Sequence, residues 1–150
     1  MPEGSTAALR PAPKRRLLIV EDDRAVRELL QLHLTNAGYE AVLAADALVA
    51  AHILLEDPKG VDLLLVDAKL PYMSGIEFVS TVIADSTLPS IPVILITGHE
   101  ELASRADLLD VPCLVKPFTA ERLLARVEKS LARVSRAQAA DKPSRATGGL

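Results

Sequence analysis

VDLLLVDAKLPYMSG, residues 61–75, is the stretch on which the fold turns. Leu63 to Val66 form an unbroken apolar run that ends in Asp67, and Pro71 and Gly75 follow at turn-like spacing. Such a run reads as a strand buried on both faces, which implies a parallel sheet covered by helices. Asp67 then stands at the strand's C-terminal end. In open α/β sheets ligands bind in the crevice beyond those ends, so a carboxylate here is placed for chemistry. Asp also favours loops, and Asp67 could simply start a turn. The other strands decide between the two.

Upstream, Leu17 to Val20 is a second short apolar run, ending in Glu21, Asp22 and Asp23. Asp23 is suited to cap the helix that follows, with Val26, Leu29, Leu30, Leu34 and Ala37 at helical spacing and Gly38 as its stop. One acid has a structural reason; three in a row do not all have one. Tyr39 to Ala44 reads as a strand and Asp46 opens a helix to about Glu56, closed by Asp57, Pro58 and Gly60. Downstream, the spacing predicts a helix from Gly75 to about Asp85 with Ile76, Val79 and Ile83 inward. A fourth strand, Val93 to Ile96, ends at Thr97 and is followed by Gly98 and His99. Glu100 to Leu109 suits a short helix, and Cys113 to Val115 a fifth strand ending at Lys116 and Pro117. Thr119 to about Arg136 is the last helix, with Glu121 near the capping-box position and Leu123, Leu124, Val127, Leu131 and Val134 on one face. Five strands alternating with five helices give a right-handed, doubly wound α/β sheet. His33 and His52 fall within helical patterns and read as packing or surface residues.

The totals fit one domain. A chain of 150 residues can bury a substantial core, with 49% hydrophobic and only 3% aromatic residues, so that core is mostly aliphatic. Residues 1–15 carry three prolines and no periodicity, and are expected to be disordered; residues 137–150 read as a flexible tail or a linker cut short, too short to fold alone. The unit between them is expected to span 16–136. No apolar run approaches a membrane span, and Leu17 to Val20 is too short for a signal peptide, so a cytoplasmic setting is expected. The single Cys113 has no second thiol for a disulfide or zinc site, and its apolar neighbours favour a buried, inert thiol. The net charge of −3 hides a division. Residues 17–115 hold five basic against 16 acidic side chains, near −11, while both ends are basic. An acidic middle argues against a nucleic-acid-binding face there and suits a hard divalent cation if carboxylates gather.

Four strands thus end in residues suited to phosphate chemistry: Glu21 and Asp22, Asp67, Thr97, and Lys116. At one edge of a parallel sheet they would form a cation site and an oxyanion site around one carboxylate. Mg²⁺ takes one or two carboxylates plus phosphate oxygens and keeps several waters, and Asp22 and Asp67 can supply the carboxylates. Lys116 would pair with a phosphoryl oxygen while the Thr97 hydroxyl donates to another.

At this point the chain resembles the receiver domain of bacterial two-component response regulators. LLIVEDD, VDLLLVDAKLPYMSG, VILITG and LVKPF are similar to four family signatures in order, across roughly Arg16 to Arg136. The resemblance implies a five-stranded, flavodoxin-like (βα)5 receiver fold and a cytoplasmic protein of phosphorelay signalling. It implies that Glu21 and Asp22 are the acidic pair, Asp67 the phosphoacceptor, Thr97 the switch hydroxyl and Lys116 the phosphate-pairing lysine. The metal, Mg²⁺ or Mn²⁺, would also take the backbone carbonyl of Lys69, and the Lys116-Pro117 bond would be cis. The implied partners are a histidine kinase or phosphotransfer protein and a downstream protein or a second copy of the chain in a homodimer, the contact surface falling between Val93 and Arg136. Neither nucleic acid nor membrane is implied, nor any enzymatic activity beyond the domain's own phosphorylation and dephosphorylation.

Three features depart from the family pattern. Cys113 replaces the Tyr or Phe usual three residues before the lysine, removing the aromatic ring that moves inward when the hydroxyl engages phosphate. Thr97 to Lys116 spans 19 residues, a few fewer than is common, and Asp110 to Cys113 replaces the usual Gly-Ala-containing turn. Residues 137–150 are too short to fold alone, so no output domain is expected within them. Lys69 and His99 flank the family's approach path for water, and neither side chain is suited to orienting it, so a long-lived phosphorylated form is expected. Two rival readings stand beside the receiver. A phosphatase of the haloacid dehalogenase type needs a second carboxylate two residues after its nucleophile, where this chain has Lys69. A partner-binding pseudo-receiver would fit best if an acid or the lysine were missing, and all are present.

Overall fold

The computed structural model describes residues 13–98 and 109–133. Within them lie β1 (Arg16–Val20), α1 (Arg24–Asn36), β2 (Glu40–Ala44), α2 (Ala47–Glu56), β3 (Leu63–Asp67), α3 (Gly75–Ala84), β4 (Val93–Thr97) and β5 (Cys113–Val115), followed by a helix over 120–133, called α4. The strands form one parallel sheet in the order β2-β1-β3-β4-β5. This is a flavodoxin-like α/β fold.

The strands are apolar on both faces because each face has its own core. Leu18, Val20, Leu64, Val66 and Leu95 point to one side, where Ala50 and Leu54 of α2 and Ile76, Val79 and Val82 of α3 cover them. Leu17, Ile19, Leu63, Leu65, Ile94, Ile96 and Leu114 point to the other, against Leu30 and Leu34 of α1 and Leu123, Val127 and Leu131 of α4. Fully burying one such side chain is worth about 1.5–3 kcal/mol, so both layers are needed to hold a sheet this apolar. The helix starts follow the sequence. Asp23 accepts from the N–H groups of Ala25 and Val26, Asp46 from Val49, Ser74 from Glu77 and Thr119 from Arg122, at 2.9 to 3.2 Å.

Several expectations need correction. Leu29 and Ile83, expected to face inward, are 50% and 54% exposed. Each lies one helical step, about 100°, from a buried neighbour, Leu30 or Val82, and the apolar stripe is too narrow to take both. Ala37 is also exposed, and its N–H closes α1 on the carbonyls of His33 and Leu34. Tyr39 belongs to the same turn, bonded to the Leu34 carbonyl, so β2 starts one residue later than expected. Gly38 between them has φ +96°, the left-handed conformation that helix ends favour in glycine. Cys113 is half-buried at the edge of a core layer, not fully buried. The expected helix from Glu100 lies outside the described residues except for Leu109, which is in a turn. Residues 1–12 and 134–150, where the disordered N-terminal segment, the flexible tail and Val134 were expected, also lie outside them.

The strand order positions the site. The chain runs from β1 outward to β2, then crosses β1 to place β3 on its other side, so the β1/β3 boundary is where the winding reverses. Val20 is in register with Val66, which sets Glu21 and Asp22 beside Asp67 at the crevice.

Candidate functional site

Asp67 closes β3 and is buried together with Glu21, the residue after β1. Glu21 is 1% exposed, and its N–H is bonded to the Ala44 carbonyl at 3.0 Å, an extension of the β1–β2 ladder that fixes its backbone. Lys116, just past β5, reaches into the same point: its Nζ lies 2.9 Å from Asp67 Oδ2 and 3.0 Å from Glu21 Oε1. Its own N–H donates to the Thr97 carbonyl at 2.7 Å, which ties the end of β5 to the end of β4. The Lys116-Pro117 peptide is cis. The other Asp67 oxygen, Oδ1, accepts the Lys69 N–H at 2.9 Å. Gly75 permits this arrangement, since a Cβ there would collide with the Asp67 carbonyl oxygen, and its N–H closes the loop on Ala68 at 2.9 Å.

Asp22, Asp23, Asp67, Lys69, Leu70, Pro71, Gly98 and Lys116 line an open cleft of about 490 Å³ over this point. Thr97 is 1% exposed and, like Glu21, lies outside that lining; it pairs with Val115 in the ladder, one residue beyond the Asp67–Ile96 pair. Carboxylate oxygens of Glu21, Asp22 and Asp67 all fall within 4.8 Å of one another. Glu21 Oε2 is buried and receives no hydrogen bond. An all-oxygen set with an orphaned buried acceptor fits a hard divalent cation such as Mg²⁺.

The charges in this cluster oppose one another. Burial, then the adjoining Asp67 carboxylate, push Glu21 up to about 8, against the pull of Lys116. Burial would also raise Asp67, but its hydrogen bonds to Glu21, the Lys69 N–H and Lys116 outweigh that and hold it below the usual 3.8. Burial favours a neutral Lys116, yet its bonds to Asp67 and Glu21 prevail and hold its pKa above 10.5. The cluster therefore keeps an ionised Asp67 beside a charged lysine, with a proton retained on Glu21.

Of the residues singled out in the sequence, Glu21, Asp22, Asp67, Lys69 and Lys116 come together, with Thr97 at the adjoining strand end. Cys113 starts β5 and lies away from the cleft lining, and His99 lies outside the described residues. Arg27 was missed. Its guanidinium Nη1 lies 2.7 Å from the Glu21 carbonyl oxygen and 3.3 Å from that of Asp22. In the sequence it is one more charged residue on the solvent side of a helix, and only its spacing from the acidic pair set it apart.

The response regulator receiver domain family matches residues 17–128, most of the chain and every element of the site. The chain belongs to this family. Receiver relatives include the response regulator MprA of Mycobacterium sp. strain KMS, 33% identical over 132 residues, covering 86% of this chain and 56% of that protein. MprA of Mycobacterium avium strain 104 is 36% identical over 121 residues, 79% of this chain and 51% of that one. The receiver thus spans about half the length of the curated relatives it matches. Among solved structures, chemotaxis protein CheY4 of Vibrio cholerae superposes with a TM-score of 0.71 at 29% identity, covering 79% of this chain and all of that one. The signal receiver domain of an HD domain-containing protein from Pseudomonas fluorescens Pf-5 gives 0.75 at 25% identity, covering 86% and 95%. Membership in a two-component signalling family leaves the phosphatase reading without support. No helix among the described residues is long and apolar enough to cross a membrane.

Proposed function

We propose that this receiver accepts a phosphoryl group on Asp67 in a Mg²⁺-dependent reaction, from a histidine kinase, a phosphotransfer protein or a small phosphodonor. The observation that carries this is the convergence on Asp67 of the Lys116 ammonium, the Lys69 N–H and the carboxylates of Glu21 and Asp22. Glu21, Asp22, Asp67 and the Lys69 carbonyl would hold Mg²⁺ or Mn²⁺, and the bound cation would offset charge on the phosphoryl oxygens. An Asp67 carboxylate oxygen attacks phosphorus, and the bond from phosphorus to the donor's imidazole nitrogen or acyl oxygen breaks, the leaving atom keeping the electron pair. Lys116, already held charged at 2.9 Å from Asp67, passes to a phosphoryl oxygen as the carboxylate charge is consumed. Thr97 donates its hydroxyl to another.

The reaction is confined to the domain itself, and the signal passes in the cytoplasm to a protein partner or a second copy of the chain. The expected contact surface is the stretch from Val93 to Arg136, which begins with the strand that carries Thr97. Incubation with acetyl phosphate followed by intact mass measurement tests the chemistry. One added phosphoryl group is expected in Mg²⁺, and none with EDTA or in Asp67→Asn. A gain in either control refutes the assignment.

A further inference from the structure

We infer that Arg27 is a positioning residue for the cation site, an inference that rests on the Mg²⁺-dependent function proposed above. Arg27 lies in the first turn of α1 and folds back over the β1–α1 loop. A single guanidinium nitrogen, Nη1, bridges two consecutive carbonyl oxygens, 2.7 Å from that of Glu21 and 3.3 Å from that of Asp22. Those peptide units carry the acidic pair. Before them, the Glu21 N–H is held by Ala44; after them, Asp23 caps α1 with its side chain and accepts the Arg27 N–H on its carbonyl at 2.9 Å. Asp22, between these anchors, is exposed, and its carboxylate receives no hydrogen bond among the described residues. With no side-chain bond to hold it, the reach of this carboxylate into the site depends on where its backbone is placed, and Arg27 bonds that backbone directly.

The kind of contact matters as much as its place. A guanidinium forked onto carboxylates would occupy the oxygens a cation needs. Arg27 binds carbonyl oxygens instead, and among the described residues it makes no ion pair. The Asp22 carboxylate stays open to the cleft and Glu21 Oε2 stays unbonded beneath it, while the main chain that carries both is held. Groups that orient metal ligands in this way typically contribute 10- to 100-fold in metal affinity.

Isothermal titration of Mg²⁺ into the full chain tests this, alongside melting curves in EDTA, with every titration run well below the melting temperature of the variant used. Arg27→Met should bind Mg²⁺ at least about tenfold more weakly than the parent. Arg27→Lys, which keeps a charged donor nitrogen on a long stem, should recover part of the loss. A purely structural role would lower the melting temperature in EDTA and leave the Kd of the folded protein unchanged; that result overturns the inference. If Arg27→Met does not fold, Arg27→Gln takes its place under the same criterion. A parent protein that binds no Mg²⁺ refutes the proposed function instead, so the two failures are distinguishable.

Discussion

Glu21 keeps its proton in the folded chain up to about pH 8, because burial and the Asp67 carboxylate both oppose its ionisation. In the unfolded chain it ionises near its ordinary 4.5. Between those values the folded state binds more protons than the unfolded one, so this residue makes folding stability fall as pH rises. Asp67 acts in another window: its depressed pKa contributes stability above 3.8 that is lost as pH falls through its folded value. Melting in EDTA at pH 5 and pH 8 should therefore show a decline that Glu21→Gln flattens, and Mg²⁺ should raise the melting temperature more at pH 8, where its ligands ionise readily. An identical decline in Glu21→Gln would remove Glu21 as its source. Lys69 and His99 carry a second residue-scale prediction. The Lys69 side chain borders the cleft beside Asp67 and can lie over a phosphoryl group as a counter-charge. His99 follows Thr97 by two residues in the sequence, and an imidazole there is expected to add bulk rather than orient water. The phosphorylated form should be long-lived, and the double variant Lys69→Asn, His99→Glu should lose ³²P about tenfold faster or more, each 1.36 kcal/mol of barrier being about tenfold in rate. Equal decay in parent and variant would show that the lifetime is set elsewhere.

At the scale of elements, the ends of β4 and β5 are the parts most directly joined to the acceptor. Lys116 donates its N–H to the Thr97 carbonyl and its ammonium to Asp67, so a phosphoryl group that draws Lys116 or Thr97 also pulls on this pair of strands. Cys113 opens β5 where an aromatic ring is usual, and a half-buried thiol cannot swing as such a ring does. The change should travel through backbone, from Thr97 and Gly98 to the turn at Asp110, which holds a left-handed φ of 56° where the family commonly has glycine nearby. Addition of Mg²⁺ and beryllofluoride should shift the amide resonances of residues 97–98 and 109–116 by more than those of β2. Unchanged resonances throughout 97–116 would contradict this route.

At the scale of the whole molecule, the strands were legible because runs such as Leu63–Val66 and Leu17–Val20 allow only a sheet buried on both faces, and helix starts because Asp23, Asp46, Ser74 and Thr119 carry their caps locally. The helix faces were less so. Leu29 and Ile83 have inward-looking chemistry, but packing on a strand pair leaves them outside, which only the tertiary arrangement decides. The site shows the same division. Strand ends announced Asp67, Glu21, Asp22, Thr97 and Lys116, whereas the bond of Lys116 to Glu21 spans 95 residues and the clamp of Arg27 acts on backbone atoms. Neither leaves a pattern in residue types. Everything converges on one carboxylate, and borohydride trapping reads it directly. After acetyl phosphate treatment in Mg²⁺, reduction of the acyl phosphate should convert a single residue, Asp67, to homoserine, and EDTA should prevent it. Homoserine at any other carboxylate, or at Asp67 with the cation chelated, would contradict a Mg²⁺-dependent Asp67 phosphoacceptor.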